Sequence, residues 1–173
     1  QGTLNAVLTK SFNLWTQSSE SSYMASEDWK KAEIEPLNIK GKQIYLGIDL
    51  SKTDDLTSVS WIVPTDDRRL YCDSHSWIGT KYGLQNKIKR DGVNYPALEL
   101  KGECSITQLE SGIIDYEHIF SWLMDFIEEN ELEVLGICYD KWNANTLITK
   151  LEKARLPLIE VRQGVYTLNT PTR

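Results

Sequence analysis

The chain has 173 residues, 40% of them apolar and 10% aromatic, and a formal net charge of −6. That is enough for one domain with a sizeable core, and too rich in tryptophan for a disordered segment. No apolar run approaches the roughly 18 residues of a membrane-spanning helix, and no basic-then-apolar start marks a signal peptide.

Residues 1–42 carry isolated aromatics in a Ser-rich, polar background ("SFNLWTQSSESSYMAS") without a sustained period. With Gln1 rather than Met at the start, they read as a connecting arm of a longer polypeptide. Within them "SEDWKKAEI" predicts a short helix capped by Ser26, with Glu27 and Asp28 suiting its first turn. From residue 43 the pattern becomes regular. Strands are predicted at 43–50, 56–64 and 69–78, the last two joined by the tight turn "PTDDRR". A short helix is predicted at 81–90. Residues 91–115, with Gly, Pro and Asn, read as loop with a short strand around Leu98 to Cys104. Ile119, Phe120, Leu123, Met124, Phe126 and Ile127 are spaced for a helix over 116–130. "EVLGICYD" is a buried strand, "NANTLITKLEKARL" an amphipathic helix with Leu147, Ile148, Leu151 and Leu156 on one side, and "PLIEVRQG" a last short strand. Hairpin strands followed by crossover helices make an α/β domain, a mixed sheet flanked by helices.

Cys72, Cys104 and Cys138 are odd in number and widely spaced, so they read as reduced thiols. His75 and His118 lack any ligand spacing and read as structural or exposed. Charge is unevenly distributed. Residues 103–140 hold ten Asp or Glu and no Lys or Arg, whereas 141–173 hold six basic residues against Glu152 and Glu160. An acidic face beside a basic one follows.

Two strands, "YLGID" and "LGICYD", end in aspartate. A lone strand-final Asp is an ordinary turn residue. Two on adjacent parallel strands would bring Asp49 and Asp140 together, and two bare carboxylates repel unless a cation lies between them. Oxygen-only ligation suits Mg²⁺ or Mn²⁺. Two such ions about 3.5–4 Å apart activate water and stabilise the leaving oxygen in phosphodiester cleavage. Asp54 and Asp55 in the following loop can add or orient a ligand.

"YLGIDLSKTDDLTSVSWIVP", "YDKWNANTLITKLEKARLPLIEVRQG" and "FNLWTQSSESSYMASEDW" resemble the large terminase subunit of tailed bacteriophages. The resemblance implies that 1–42 are the end of an ATPase region and linker, and that 43–173 are an RNase H-like nuclease domain: three antiparallel strands, then parallel strands, with flanking helices. It implies Asp49 and Asp140 as catalytic metal ligands and Asp55 as a further acidic position. Trp142, Asn143 and Asn145 would shape the site, Asn143 capping the next helix, and Arg162, Gln163 and Gly164 would end the next strand near the DNA path. The implied cofactor is Mg²⁺ or Mn²⁺, two ions in the complete site. The implied partners are double-stranded viral DNA, the small terminase subunit and the portal of the procapsid, in the cytoplasm of the bacterial host and without a membrane. Lys141, Lys150 and Arg162 are candidate phosphate contacts, although helix lysines commonly form only a solvated face. The family's third acid lies on a helix beyond the last strand, past Arg173, so this fragment is expected to be weak or inactive as a nuclease. No GxxxxGK[ST] occurs, so it should not pump DNA.

Two other readings stand beside this one. "GIDLSKTDDLTSVSW" is also similar to the phosphate-binding hairpin of actin, Hsp70 and sugar kinases. That turn uses glycine so that backbone amides reach a phosphate, and here Ser51 to Asp55 fill it with two acids. The other reading is a non-catalytic RNase H-like scaffold.

Overall fold

The structure, a computed structural model, describes residues 25–51, 55–140, 145–162 and 164. The chain divides into two compact units, residues 1–37 and 38–173. In the first, the described element is helix α1 (Ser26–Lys31). Ser26 lies inside this helix rather than capping it. Ala25 holds the cap position, where no side chain can accept the free amides, and Glu27 and Asp28 in the first turn complement the helix dipole instead.

The second unit is built on β1 (Gln43–Asp49), β2 (Thr57–Pro64), β3 (Leu70–Ile78), β4 (Cys104–Ile106), β5 (Glu133–Tyr139) and β6 (Leu158–Glu160). Its helices are α2 (Leu84–Asp91), α3 (Tyr95–Leu100), α4 (Tyr116–Glu129) and α5 (Asn145–Lys153). The six strands form one sheet in the order β4-β3-β2-β1-β5-β6. β1, β2 and β3 are antiparallel neighbours, while β5 runs parallel to β1, β6 to β5 and β4 to β3.

Alternation along the strands decides which face is buried. Ile44, Leu46 and Ile48 of β1, Val59, Trp61 and Val63 of β2 and Ile137 of β5 turn to one face, where Ile119 and Leu123 of α4 and Leu147 and Leu151 of α5 close the main core. Each fully buried Leu or Ile contributes about 1.5–3 kcal/mol relative to exposure. Asp115 caps α4, its carboxylate accepting from the Glu117 and His118 amides at 3.0 and 3.2 Å. The predicted helical stripes thus lie against the sheet.

On the opposite face, the described residues cover the β3–β4 end. There Ile78, Cys104 and Ile106 pack with Tyr95, Leu84, Ile88 and Leu98 of the α2–α3 pair. Helix α3 corrects the expected loop. "NYPALEL" starts a helix because the Asn94 side chain accepts from the Ala97 amide at 3.2 Å and Pro96 sits in the first turn, where a missing N–H costs nothing. The short strand therefore begins at Cys104 rather than at Leu98, and β6 spans only three residues.

His75 is structural, as expected. It is 6% exposed, stacked on Trp122 at 4.7 Å and bonded through Nδ1 to the Gly102 carbonyl (3.0 Å) and through Nε2 to Ser105 Oγ (2.9 Å). Burial holds its pKa below the usual histidine value. The three cysteines are unpaired.

Candidate functional site

The β1–β5 ladder fixes where the two strand-final aspartates lie. Leu46 pairs with Ile137, Gly47 with Cys138 and Ile48 with Tyr139, so the next residue on each strand is Asp49 and Asp140. Adjacent strands lie about 4.8 Å apart, which places the two acids side by side at the C-terminal edge of neighbouring parallel strands. Asp49 is exposed and Asp140 half-buried. Across the other ladder Asp49 pairs with Ser58, and Ser58 with Ser76. The row continues to Cys104 of β4. Because Ile48 points into the main core, Asp49 projects to the opposite face.

The loop that follows Asp49 is tied at both peptide groups of Ser51. The Ser51 amide donates to Thr57 Oγ1 at 3.0 Å, and the Tyr116 hydroxyl donates to the Ser51 carbonyl at 2.9 Å. Thr57 is fully buried, and burial raises the Tyr116 pKa. Both residues were missed in the sequence. Thr57 was visible only as a β-branched residue opening a strand, and Tyr116 only as the first residue of a helix. Tyr116 lies 65 residues from its partner Ser51, and Thr57, only six away, carries no local sign of the bond.

Other expected site residues are less concentrated. Asp55 is exposed on the loop. Lys150 on α5 is ion-paired with Glu117 in the first turn of α4, and its Nζ stands 5.5 Å from the Phe120 ring centroid. Arg162, just beyond β6, pairs with Glu160 at 3.5 Å with its side chain 84% exposed. Asp54, Lys141, Trp142, Asn143 and Gln163 lie outside the described residues, and Asn145 opens α5. Among the described residues no three of His, Cys, Asp and Glu come together as a metal-binding group. No helix among them is long and apolar enough to cross a membrane.

The model of the terminase large subunit endonuclease domain matches residues 3–173. The crystal structure of the HK97 bacteriophage large terminase is similar in fold, with 21% sequence identity and a TM-score of 0.74. The match covers 88% of this chain and 31% of that one. No curated protein matches. The mixed sheet with its flanking helices is thus the RNase H-like fold of a terminase nuclease, and the chain belongs to the endonuclease-domain family of terminase large subunits.

Proposed function

We propose that this domain cuts double-stranded viral DNA at the edge marked by Asp49 and Asp140, as the nuclease part of a phage terminase large subunit that trims concatemeric genomes during packaging. The observation that carries this reading is the register that ends β1 and β5 on neighbouring acids. The donor chemistry fits a hard divalent cation, since Asp49 and Asp140 offer carboxylate oxygens. Asp49 and Asp140 would hold Mg²⁺ or Mn²⁺, with Asp55 as a further oxygen donor. Such ions, when bound, supply an activated water and charge stabilisation at the leaving oxygen. The protein's own residues do the rest. Asp49 and Asp140 supply negative charge at a spacing set by the strand pairing, Thr57 and Tyr116 anchor Ser51 just after Asp49, and the exposure of Asp49 leaves it open to a duplex.

Lys141, Lys150 and Arg162 follow Asp140 in sequence and are phosphate contacts in this reading, but Lys150 must leave Glu117 to serve. A third acid supplied from a helix after β6 would complete the ligand set. Residues 1–42 would lead in from an ATPase region, and the small terminase subunit and the portal would be partners of the whole protein in the host cytoplasm.

The test is Asp49→Asn, which removes a ligand charge at almost constant volume. Mn²⁺-dependent plasmid cleavage should vanish while the circular dichroism spectrum is unchanged. It is measured in a chain extended beyond residue 173 and in residues 1–173 alone, where wild-type cleavage is expected to be much slower. Wild-type cutting rates in the Asn variant would remove Asp49 from the mechanism. Nucleotide binding without cleavage would favour the kinase-like hairpin, and neither activity a scaffold.

A further inference from the structure

The acidic edge raises an electrostatic difficulty. The protein carries a net charge of −6, and its candidate cutting residues are carboxylates. DNA approaches such a site only if cations nearby neutralise phosphates. The segment after β3 is unusual in this chain: residues 79–90 contain Lys81, Lys87, Lys89 and Arg90 and no acid.

The topology puts that segment at the cutting edge. β3 ends beside the start of β2, through Trp77↔Thr57, and β2 starts beside the end of β1, through Ser58↔Asp49. The chain leaving Ile78 therefore emerges at the same edge as Asp49. It is held there by the Thr80 amide, which donates to the Gly112 carbonyl at 2.7 Å in the segment leading to Tyr116. The α2–α3 pair packs on the face to which Asp49 projects, and Cys104, at the end of the row Asp49–Ser58–Ser76–Cys104, is buried beneath it. Three strand spacings separate Asp49 from Cys104, about 14 Å, comparable with the width of a DNA groove, about 12 Å. Exposed or half-exposed serines (Ser58, Ser60, Ser74 and Ser76) floor the interval.

α2 is also stiffly mounted. Lys87 is 5% exposed and reaches Asp91 at 3.3 Å, Arg90 Nε donates to Asp91 at 2.7 Å, and the Tyr95 hydroxyl donates to the same carboxylate at 2.7 Å. Lys81, with its Nζ 5.5 Å from the Tyr82 ring centroid, and Lys89 stay exposed. Lys89 on this stiff helix and Lys81 in the turn just before it suit phosphate oxygens, and the exposed Tyr82 ring gives Lys81 a support.

We infer that Lys81 and Lys89 form a phosphate-binding wall for duplex DNA, facing the Asp49–Asp140 edge across the serine floor. Resting on the DNA-cleavage reading above, this surface sets how DNA is held, and its contacts carry little base preference.

The experiment compares Lys81→Gln/Lys89→Gln with Lys40→Gln/Lys42→Gln, which removes equal charge just before β1, at the opposite sheet edge. Affinity for a duplex of about 30 base pairs is measured in EDTA over a range of salt. The Lys81/Lys89 variant should bind about tenfold more weakly at low salt, with the slope of log K against log salt reduced by about 1.8, two phosphates' worth. The opposite-edge variant should match wild type. In Mn²⁺ the Lys81/Lys89 variant should show a raised KM with kcat within about twofold. Equal weakening in both variants, an unchanged slope, or no duplex binding by the wild-type chain would overturn the wall. Cleavage that survives Asp49→Asn would instead sink the catalytic reading and leave the binding result standing.

Discussion

The Tyr116 hydroxyl donates to the Ser51 carbonyl at 2.9 Å, joining the first residue of α4 to the loop that leaves the Asp49 strand. With Thr57 holding the Ser51 amide at 3.0 Å, one residue next to the candidate site has both peptide groups committed. Backbone groups that are engaged hold a segment in place, so this pair of bonds anchors Ser51, two residues after Asp49.

Tyr116→Phe should cost about 1 kcal/mol of stability, the net worth of one hydrogen bond. Thr57→Val should cost about 1–3 kcal/mol, because it strands the Ser51 amide, while Thr57→Ser should recover most of that. If this anchor orients metal ligands, both Phe and Val variants need more Mn²⁺ for half-maximal cleavage, and Ser does not. A metal titration of cleavage, with urea denaturation beside it, separates the two effects.

Gly112 offers a sharper backbone test. Its φ is +68°, and an added Cβ would lie 2.5 Å from the Lys81 amide nitrogen and 2.6 Å from the Thr80 carbonyl carbon. Backbone cannot swing aside as a side chain can. Gly112→Ala should therefore cost about 3 kcal/mol or more, the left-handed penalty plus the clash. Gly41→Ala, at φ +70° with nothing within 4 Å, should cost only about 1–2 kcal/mol. Thermal melts of the two variants check the difference.

His75 predicts a pH dependence. Burial lowers its folded-state pKa below the ordinary value of 6.5, with the Gly102 carbonyl opposing and His118 adding to the shift. The unfolded chain thus takes up a proton first as pH falls. The stability contributed by neutral His75 is complete above about 6.5 and declines below it, toward the lower folded pKa. Urea midpoints should fall between pH 7 and 5 in wild type. In His75→Gln that pH trend should shrink, whatever the variant loses at pH 7.

How far the sequence was legible depended on the range of the interaction. β1, β2, β3, β5, α4 and α5 were readable because burial leaves a period of two or 3.6 in the residues themselves. α3 was not, because a six-residue helix leaves no period, and Asn94 and Pro96 were taken for loop chemistry rather than for a start signal. Asp49 and Asp140 stood out as acids closing apolar runs. Tyr116 did not, since its bond to Ser51 spans 65 residues and nothing local marks it. Lys81 and Lys89 were passed over because charge was weighed along the chain, where the basic stretch after Asp140 drew attention. Only the antiparallel β1–β2–β3 order brings the end of β3 to the edge of Asp49.

The β1–β5 pairing has a consequence for when Asp49 and Asp140 come together. Gln43 and Glu133, 90 residues apart, are joined by a side-chain hydrogen bond at 3.0 Å, whereas the β1–β2–β3 meander is closed by short connections. Low-separation contacts form cheaply and early, and a parallel strand inserted from afar arrives late. On the ribosome, the meander can fold while β5 is still being made. Asp49 then waits without Asp140, so under the proposed cleavage reading a nascent or half-folded chain lacks the paired acids.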